Sequence, residues 1–319
     1  MRFVLAPVLF FSACLSNPVV ASEVSTLLKK MTDADGLLNY QGVLVLRKSN
    51  NLVAMRVEHG ADDRGIWESM MSLNGEARRV VRLNDEVTSV YPERQLLTVT
   101  HNTNKHTLHP ALPANFQKLE AYYTINRLKD DRIADHQTAV LDVVPNDGFR
   151  YGYRYWLDAK TGVLLRCDLL NEKRRVVEQM MFTMLEYLPA APASAFTVID
   201  REGFEEKRLD PVHPVQKNPV WQVSNLPTGF MLTQSRARQT EKGEVLHLAY
   251  SDGLASVSVF VEPAGAIHQK REGASMMGAL NAYRSHINQH FITVIGEVPA
   301  MAVMQIAQSV EAVKAVPVK

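Results

Sequence analysis

The segment Tyr250–Val261 reads YSDGLASVSVFV and combines a tight turn with a strand that has one strongly apolar face. The turn is indicated by Ser251, Asp252 and Gly253, residue types that favour reversal of the chain. Beyond the turn, apolar residues recur at every second position, as in a strand that buries one face. These residues are Ala255, Val257, Val259 and Val261. The segment therefore predicts a turn that leads directly into a half-buried strand.

The segment Trp221–Phe230, WQVSNLPTGF, contains a second turn, enforced by Pro227 and Gly229 between two aromatic residues. Downstream of it we expect a final helix that begins at Pro299, a residue suited to a first helical position. Its apolar face would hold Val303, Ile306, Val310 and Val313. The strands expected here are Phe230–Arg238, Val245–Tyr250, Ala255–Val261, Ala279–His286 and Phe291–Gly296. Four or five strands under one helix predict a compact α+β module.

The part of the chain before this module predicts a larger β unit. Its clearest signal is Asn74-Gly75, a hairpin turn between alternating segments. We expect one helix at Val24–Met31 and another at Ala114–Tyr123, the second covering one face of the sheet. The expected strands are Tyr40–Arg47, Leu52–His59, Gly65–Leu73, Glu76–Leu83, Glu86–Tyr91, Leu96–His101, Thr138–Val144, Tyr151–Leu157, Val163–Leu170 and Arg174–Glu186. The fold class is mostly β, of the α+β kind, with a large curved antiparallel sheet.

The N-terminus has the pattern of an export signal. Arg2 precedes the apolar run Phe3–Leu15, and small residues follow before Ser22, so residues 1–21 are interpreted as a cleaved signal peptide. An alternative treats Phe11–Cys14 as a lipoprotein box with Cys14 acylated. We expect a large domain over 22–187, a proline-rich linker over 188–219 and a small C-terminal domain over 220–319.

Charge and cysteine content narrow the function classes. The formal net charge is +1, so the chain lacks the basic field of a nucleic-acid-binding protein. Of the two cysteines, Cys14 lies in the signal segment, which leaves Cys167 without a disulfide partner.

No residue pattern indicates catalysis, a metal or a cofactor. The histidine pairs His106/His109 and His286/His290 lack the acid that a zinc peptidase needs, and we interpret them as loop histidines. Nucleophile elbows, Walker loops and C-x-x-C motifs are absent from the sequence. We therefore expect a protein that is not an enzyme and that carries no cofactor.

Methionines are frequent on the expected strands of the large domain, and several of those strands are apolar on both faces. One interpretation is a covering helix, with methionine filling gaps in the core; the other is a cavity that accommodates a lipid, because methionine adapts to irregular apolar partners. The candidate cavity residues are Trp67, Met70, Met71, Phe182 and Met184.

Arg78, Arg79 and Arg82 form a basic cluster on one expected strand. It is either a solvated edge or a contact for an anionic head group or an acidic peptide. The candidates for a partner surface or a domain interface are Arg78, Arg79, Trp221, Phe230 and Tyr250.

Several segments resemble the RseB/MucB family of periplasmic regulators of the sigma-E envelope-stress response. They are Leu38–Gly42, Asn74–Glu76 with Arg78-Arg79, Asp131–Ala134, Tyr155–Asp158 with Thr161-Gly162, Leu226–Phe230, Tyr250–Val261 and Val294–Pro299. The resemblance implies a large domain similar to LolA and LolB, a half-barrel closed by helices around an apolar cavity, and a small C-terminal domain.

The resemblance also implies a function. Such a protein binds the periplasmic domain of a membrane-anchored anti-sigma factor of the RseA/MucA type and protects it from regulated proteolysis. Lipopolysaccharide or an acyl lipid then releases it. The large domain alone would instead suggest a periplasmic lipid or lipoprotein carrier, and the sequence leaves a homodimer or a higher oligomer open.

Overall fold

The structure, a computed structural model, describes residues 18–101, 116–196, 199–209, 220–241, 243–264 and 272–313. Strands account for 60% of the described residues and helices for 11%, and a large open sheet is accompanied by a separate smaller one. The expected fold class, mostly β with an α+β C-terminal part, is confirmed. We call residues 18–209 the large unit and residues 220–313 the small unit.

The large unit is built on one sheet of twelve strands in the order β12-β6-β5-β4-β3-β2-β1-β11-β10-β9-β8-β7. Neighbouring strands pair antiparallel, except that β12 runs parallel to β6. The strands are β1 (Asn39–Lys48), β2 (Asn51–Asp62), β3 (Gly65–Ser72), β4 (Arg79–Leu83), β5 (Glu86–Tyr91), β6 (Leu96–His101), β7 (Tyr123–Ile133), β8 (His136–Pro145), β9 (Gly152–Asp158), β10 (Leu164–Leu170), β11 (Val176–Leu188) and β12 (Glu205–Arg208).

One long helix, α1 (Pro18–Leu37), covers one face of this sheet. Its apolar stripe, Val24, Leu27, Leu28, Met31 and Ala34, is buried in the main core of the large unit. The helix was expected at Val24–Met31 and extends further at both ends. Burial of five apolar side chains at helical spacing stabilises it more than its intrinsic propensity can.

The helix expected at Ala114–Tyr123 is wrong over the described residues. Only a short 3-10 turn forms, at Phe116–Lys118, and Tyr123 already begins β7, a strand that the sequence did not reveal. The hairpin at Asn74 also differs, because β3 and β4 are joined by six residues and Asn74 bonds to β2 instead. Its Oδ1 accepts the Ala54 N–H at 2.7 Å and its Nδ2 donates to the Leu52 carbonyl at 3.0 Å.

The segment that follows β11, around Ala195, packs on the other face of the large sheet. Trp67 is buried there with Val81 and Ala195, and Phe196 and Ile199 pack beside them. The pairing of β12 with β6 continues this contact. Part of the expected linker, including Ala195 and strand β12, therefore packs on the large unit.

The small unit contains a six-stranded antiparallel sheet in the order β14-β15-β16-β19-β18-β17, covered by helix α2 (Ala300–Gln308). The strands are β13 (Trp221–Val223), β14 (Met231–Thr240), β15 (Gly243–Ser251), β16 (Ser256–Pro263), β17 (Gly273–Met277), β18 (Leu280–Ile287), β19 (His290–Gly296) and β20 (Val310–Ala312). The apolar face expected on the last helix is correct at Val303 and Ile306, which are fully buried. It is wrong at Val310, because β20 begins there and pairs with β13.

A β-bulge at the centre of the large sheet demands a glycine at position 42. The register between β1 and β11 shifts between Val43 and Leu44, so that Thr183 is an extra residue. A Cβ on Gly42 would overlap the Met184 carbonyl oxygen and lie 3.1 Å from the ring of Phe182. The backbone must approach closely here, and only glycine allows it.

We expect Gly42→Ala to destabilise the protein by about 2 kcal/mol, because the added methyl group meets backbone that cannot move without disturbing the bulge. Urea unfolding followed by tryptophan fluorescence would measure this. The matched control is Gly36→Ala in α1, where nothing lies within 4 Å of the added Cβ. That variant should be neutral or stabilising by up to ~1 kcal/mol. Equal effects of the two substitutions would contradict the steric argument.

Candidate interaction site at the junction of the two units

A buried salt bridge joins the large unit to the small unit. Arg150 precedes β9, and Asp252 lies in the turn between β15 and β16. The Arg150 Nε donates to Asp252 Oδ2 at 2.6 Å, and both side chains are fully buried. Arg150 also donates to Asp147 and to the carbonyl of Thr228 in the small unit. A buried charge needs such a set of partners, because each N–H group left without an acceptor would carry a desolvation cost.

Aromatic rings enclose this guanidinium. The Arg150 carbon Cζ lies 5.1 Å from the ring centre of Tyr122, 5.8 Å from that of Tyr123 and 4.9 Å from that of Phe230. The first two rings belong to the large unit and the third to the small unit. Cation–π attraction between desolvated groups therefore adds to the salt bridge across the junction.

The turn residue Asp252 is held by its own backbone. Its Oδ1 accepts the N–H groups of Leu254 and Ala255 at 2.9 and 2.8 Å, which leaves Oδ2 for the large unit. That oxygen accepts from the Tyr123 hydroxyl at 3.0 Å as well as from Arg150. Burial, and next the Asp252 charge, raise the pKa of Tyr123 well above its usual range, so its hydroxyl remains a donor.

The electrostatic balance of Arg150 favours its charged form. Burial alone would lower the pKa of Arg150, but the hydrogen bond and the charge of Asp252 outweigh this and raise it. Arg150 therefore remains charged at every physiological pH.

A second polar contact and mutual apolar packing cross the junction beside this pair. Asn281 of β18 donates to the Tyr151 hydroxyl at 2.9 Å and to the Val298 carbonyl at 2.8 Å. Phe149 of the large unit packs against the core of the small unit, and Leu254 of the small unit is buried in the core of the large one. The two units thus share one continuous interface in this region.

The junction has an exposed rim on another side. Lys48, the last residue of β1, lies 2.9 Å from Glu178 of β11 and 3.7 Å from Glu297 of the small unit. The lysine side chain is 60% exposed, so this cluster is in contact with solvent. Next to it, Ser49 lies against Gly278 of the small unit.

A cleft of ≈490 Å³ lies between the units. Tyr153 of β9 forms its wall on the large unit. The lining from the small unit is Leu254, Ala255, Ser256, Ser258, Phe260, Leu280, Ile295, Gly296 and Glu297. It thus extends from the neighbours of Asp252 to the rim at Glu297. Polar groups of Ser256, Ser258 and Glu297 stand beside the apolar side chains in this lining.

The five candidate cavity residues do not lie together. Met70 and Phe182 are buried in the main core of the large unit, while Trp67 is buried on the opposite face beneath Ala195 and Phe196. Met71 is half-buried, and Met184 is 55% exposed. Unbroken alternation would place Met184 on the same face as Phe182, but the bulge at Thr183 turns it to the other side. What remains of the candidate site is Met70 and Phe182 on the face that α1 covers.

The two candidate arginines lie on the large unit. Arg78 is exposed and stacks over the ring of Tyr91 at 5.4 Å. Arg79 is half-buried and donates from Nε to the Ser69 hydroxyl at 3.0 Å. Arg82, the third member of the cluster, is buried and donates to the Asn84 carbonyl at 2.7 Å. Arg78 is therefore the member of the cluster that is accessible to a partner.

The three candidate aromatic residues all belong to the core of the small unit. Trp221 meets His290 edge-on at 5.0 Å, and Tyr250 is buried between the sheet and its covering elements. Phe230 alone among these three has a ring stacked on Arg150, which places it at the junction.

Sequence reasoning missed Arg150, Tyr123, Tyr151 and Asn281. It noted Asp252 only as a turn former. The available signal was Arg150 itself, an arginine between Phe149 and Tyr151 immediately after a turn, which is an unusual place for a solvated charge.

The remaining chemistry is sparse. Among the described residues no group of three or more His, Cys, Asp or Glu side chains could hold a metal ion. His286 and His290 lie on strands β18 and β19, whereas His106 and His109 fall outside the described residues. The helices in the described ranges are too short or too polar to cross a membrane.

Two domain profiles match this chain. The profile of the MucB/RseB N-terminal domain matches residues 23–200, and that of the MucB/RseB C-terminal domain matches residues 215–311. The chain belongs to the MucB/RseB family. The resemblance expected from the short segments is thereby confirmed.

Curated relatives from this family align over almost their whole length. The sigma-E factor regulatory protein RseB of Haemophilus influenzae is 27% identical over 305 residues, which cover 95% of this chain and 96% of that protein. The sigma factor AlgU regulatory protein MucB of Pseudomonas aeruginosa is 28% identical over 300 residues, 91% of each chain.

A solved structure of the Pseudomonas aeruginosa MucA/MucB complex matches with a TM-score of 0.72 and 27% identity, and covers 92% of this chain and 100% of that one. This MucB/RseB protein therefore shares its fold across both units with a protein solved in complex with MucA.

Proposed function

We propose that this protein is a periplasmic negative regulator of a sigma-E-type stress response. It binds the periplasmic domain of a membrane-anchored anti-sigma factor related to RseA or MucA and protects that domain from regulated proteolysis. Lipopolysaccharide or another acyl lipid releases it. It acts by binding and not by catalysis, and it reaches the periplasm through the signal peptide expected at residues 1–21.

The observation that carries the proposal is the match to a MucB chain that was solved together with MucA. The alignment includes both units, so the surfaces of both, and the junction between them, have counterparts in the relative that binds a partner. Relatives named as regulators of sigma-E and of AlgU support the same conclusion.

Regulation of this kind requires two states with different affinities for two ligands. The junction is suited to provide them, because a partner peptide that contacts both units stabilises one relative arrangement. An acyl chain bound in the large unit would favour a different relative arrangement of the two units. Each buried methylene contributes roughly 0.8 kcal/mol, so a chain of about twelve carbons can outweigh a coupling of ~1–3 kcal/mol.

The face for an acyl chain is the one that carries Met70 and Phe182. Helix α1 covers this face through Leu27, Leu28 and Met31. A lipid that enters between sheet and helix must therefore displace part of α1, and lipid binding is coupled to a change in the position of α1.

The decisive experiment is a pull-down of the mature protein with the periplasmic fragment of the anti-sigma factor from the same organism. We expect one-to-one retention of the fragment, slower cleavage of the fragment by the first protease of the cascade, and loss of both on addition of lipopolysaccharide. The matched control is the same lipid with its acyl chains removed, which should not release the fragment.

Failure to retain the fragment at saturating protein would refute the proposal. If the protein then still binds a fluorescent acyl probe and transfers acylated cargo between vesicles, a carrier of the LolA/LolB type is the better explanation. If the protein retains the fragment and lipid does not release it, the result would support anti-sigma binding and refute release by lipid.

A further inference from the structure

The junction between the units has two ends of different character. At the buried end, Arg150 binds Asp252 and Tyr151 binds Asn281. At the exposed end, Lys48 lies between Glu178 and Glu297. The cleft of ≈490 Å³ extends from one end to the other.

The two ends differ in how easily they separate. Pulling Arg150 from Asp252 would leave two buried charges without partners, which is strongly unfavourable. The ion pairs of Lys48, whose side chain is 60% exposed, are partly solvated, so separating them costs less. The junction therefore separates more easily at the rim than at the buried end.

The rim carries one more carboxylate than it has ammonium groups. Glu297 contributes from the small unit, Glu178 from the large unit, and both share Lys48. When both glutamates are ionised, closing the rim brings two like charges towards each other and moves Glu297 out of water. Both effects oppose closure, and protonation of Glu297 removes both.

The pKa of Glu297 reflects both its burial and its charged neighbours. Burial raises its pKa first and the charge of Glu178 raises it further, and Lys48 offsets only part of this. Among the described residues, the charged and titratable groups that act on Glu297 are Glu178, Lys48 and the phenol of Tyr153. Burial keeps the pKa of that phenol well above its usual range, so it stays neutral. For Lys48, burial opposes the charged form, but its bonds to the glutamates raise its pKa overall.

We propose that Lys48, Glu178 and Glu297 form a pH-sensitive latch that closes the rim of the junction on acidification and releases it near neutral pH. The direction of this pH response is set by where Glu297 binds its proton more tightly. The closed rim holds the Glu297 proton more tightly than an open, solvated rim does, so protons favour the closed state. The response lies above the ordinary glutamate pKa of 4.5, up to the raised pKa of the closed state. Acidification thus narrows access to the cleft, independently of any partner.

Pyrene labels at Asn51→Cys and Met277→Cys would test this in the mature protein. Both positions are exposed and lie close to Ser49 and Gly278 at the rim. The native Cys167 is buried, which raises its thiol pKa and protects it from labelling. The ratio of excimer to monomer fluorescence reports the proximity of the two labels and does not depend on protonation of the dye.

We expect this ratio to rise at least about twofold between roughly pH 7.5 and pH 5.0. Glu297→Gln should give the high ratio at both pH values, and Lys48→Met should lower the ratio near neutral pH. The matched control is Glu244→Gln, an exposed glutamate on β15, which should behave like the parent. Far-UV circular dichroism would establish that each variant is folded. An unchanged ratio in the parent, or a pH response that persists in Glu297→Gln, would overturn the proposal.

Discussion

Asp252→Asn should lower the free energy of unfolding by about 3–5 kcal/mol, the typical cost of removing one partner from a buried ion pair. The substitution keeps the shape of the side chain and the Oδ1 acceptor for the turn. It removes the charge and replaces Oδ2, which accepts from Arg150 and Tyr123, with an amide group that can only donate. It leaves the fully buried Arg150 with its carbonyl contact and with Asp147, which is partly exposed. Urea titration followed by tryptophan fluorescence would measure the loss.

The matched control for this prediction is Asp147→Asn. Asp147 contacts the same guanidinium, but its side chain is 30% exposed, so water replaces much of what the substitution removes. We expect a loss below about 1 kcal/mol. The double variant Arg150→Met with Asp252→Asn should recover part of the stability, because no buried charge is left unpaired. Equal losses of unfolding free energy for the two single variants would show that the burial of Asp252 does not determine the strength of its ion pair.

Local patterns predicted the strands well where the deciding information lies within a few residues. The limits of β5 and β6 agree with the expected strands Glu86–Tyr91 and Leu96–His101. The turn from Ser251 to Gly253 and the strand after it are also correct. In these segments, hydrophobic periodicity and turn chemistry indicate the same structure, and tertiary contacts favour that structure too.

The errors occur where contacts between residues far apart in sequence determine the local structure. The tyrosines at the end of the expected helix Ala114–Tyr123 have helical spacing, but their rings are used at Arg150, and Tyr123 enters β7. Both Phe182 and Met184 were candidate cavity residues, but the bulge next to Gly42 interrupts the alternation that would place them on one face. A bulge is set by the neighbouring strand, and a single strand's pattern does not contain it.

The junction could not be predicted because its partners are far apart in sequence. Arg150 and Asp252 are separated by 102 positions. The candidate list contained Phe230 and thus reached the junction at one point. The resemblance to a family identified the two units and their order, whereas the ion pair between them required the three-dimensional structure.

Gly229→Ala should destabilise the same junction through the backbone. Gly229 lies in the turn that leads to Phe230 and adopts φ = +91°, a conformation that costs other residues about 1–3 kcal/mol. An added Cβ would also overlap the ring of Tyr122, whose Cε1 would lie 2.7 Å away. Together the two effects should cost roughly 3 kcal/mol in the free energy of unfolding and push Tyr122 off Arg150.

Gly203→Ala separates these two contributions. Gly203 has a similar positive φ of +78°, but nothing lies within 4 Å of an added Cβ, so it measures backbone strain without a clash. The excess loss in Gly229→Ala over Gly203→Ala then measures how firmly the ring of Tyr122 is held between the units. If the two losses are equal, the ring moves aside freely, and the aromatic enclosure of Arg150 contributes little to the junction. An excess of about 1 kcal/mol or more would show that the enclosure is rigid, as a fixed buried end of the junction requires.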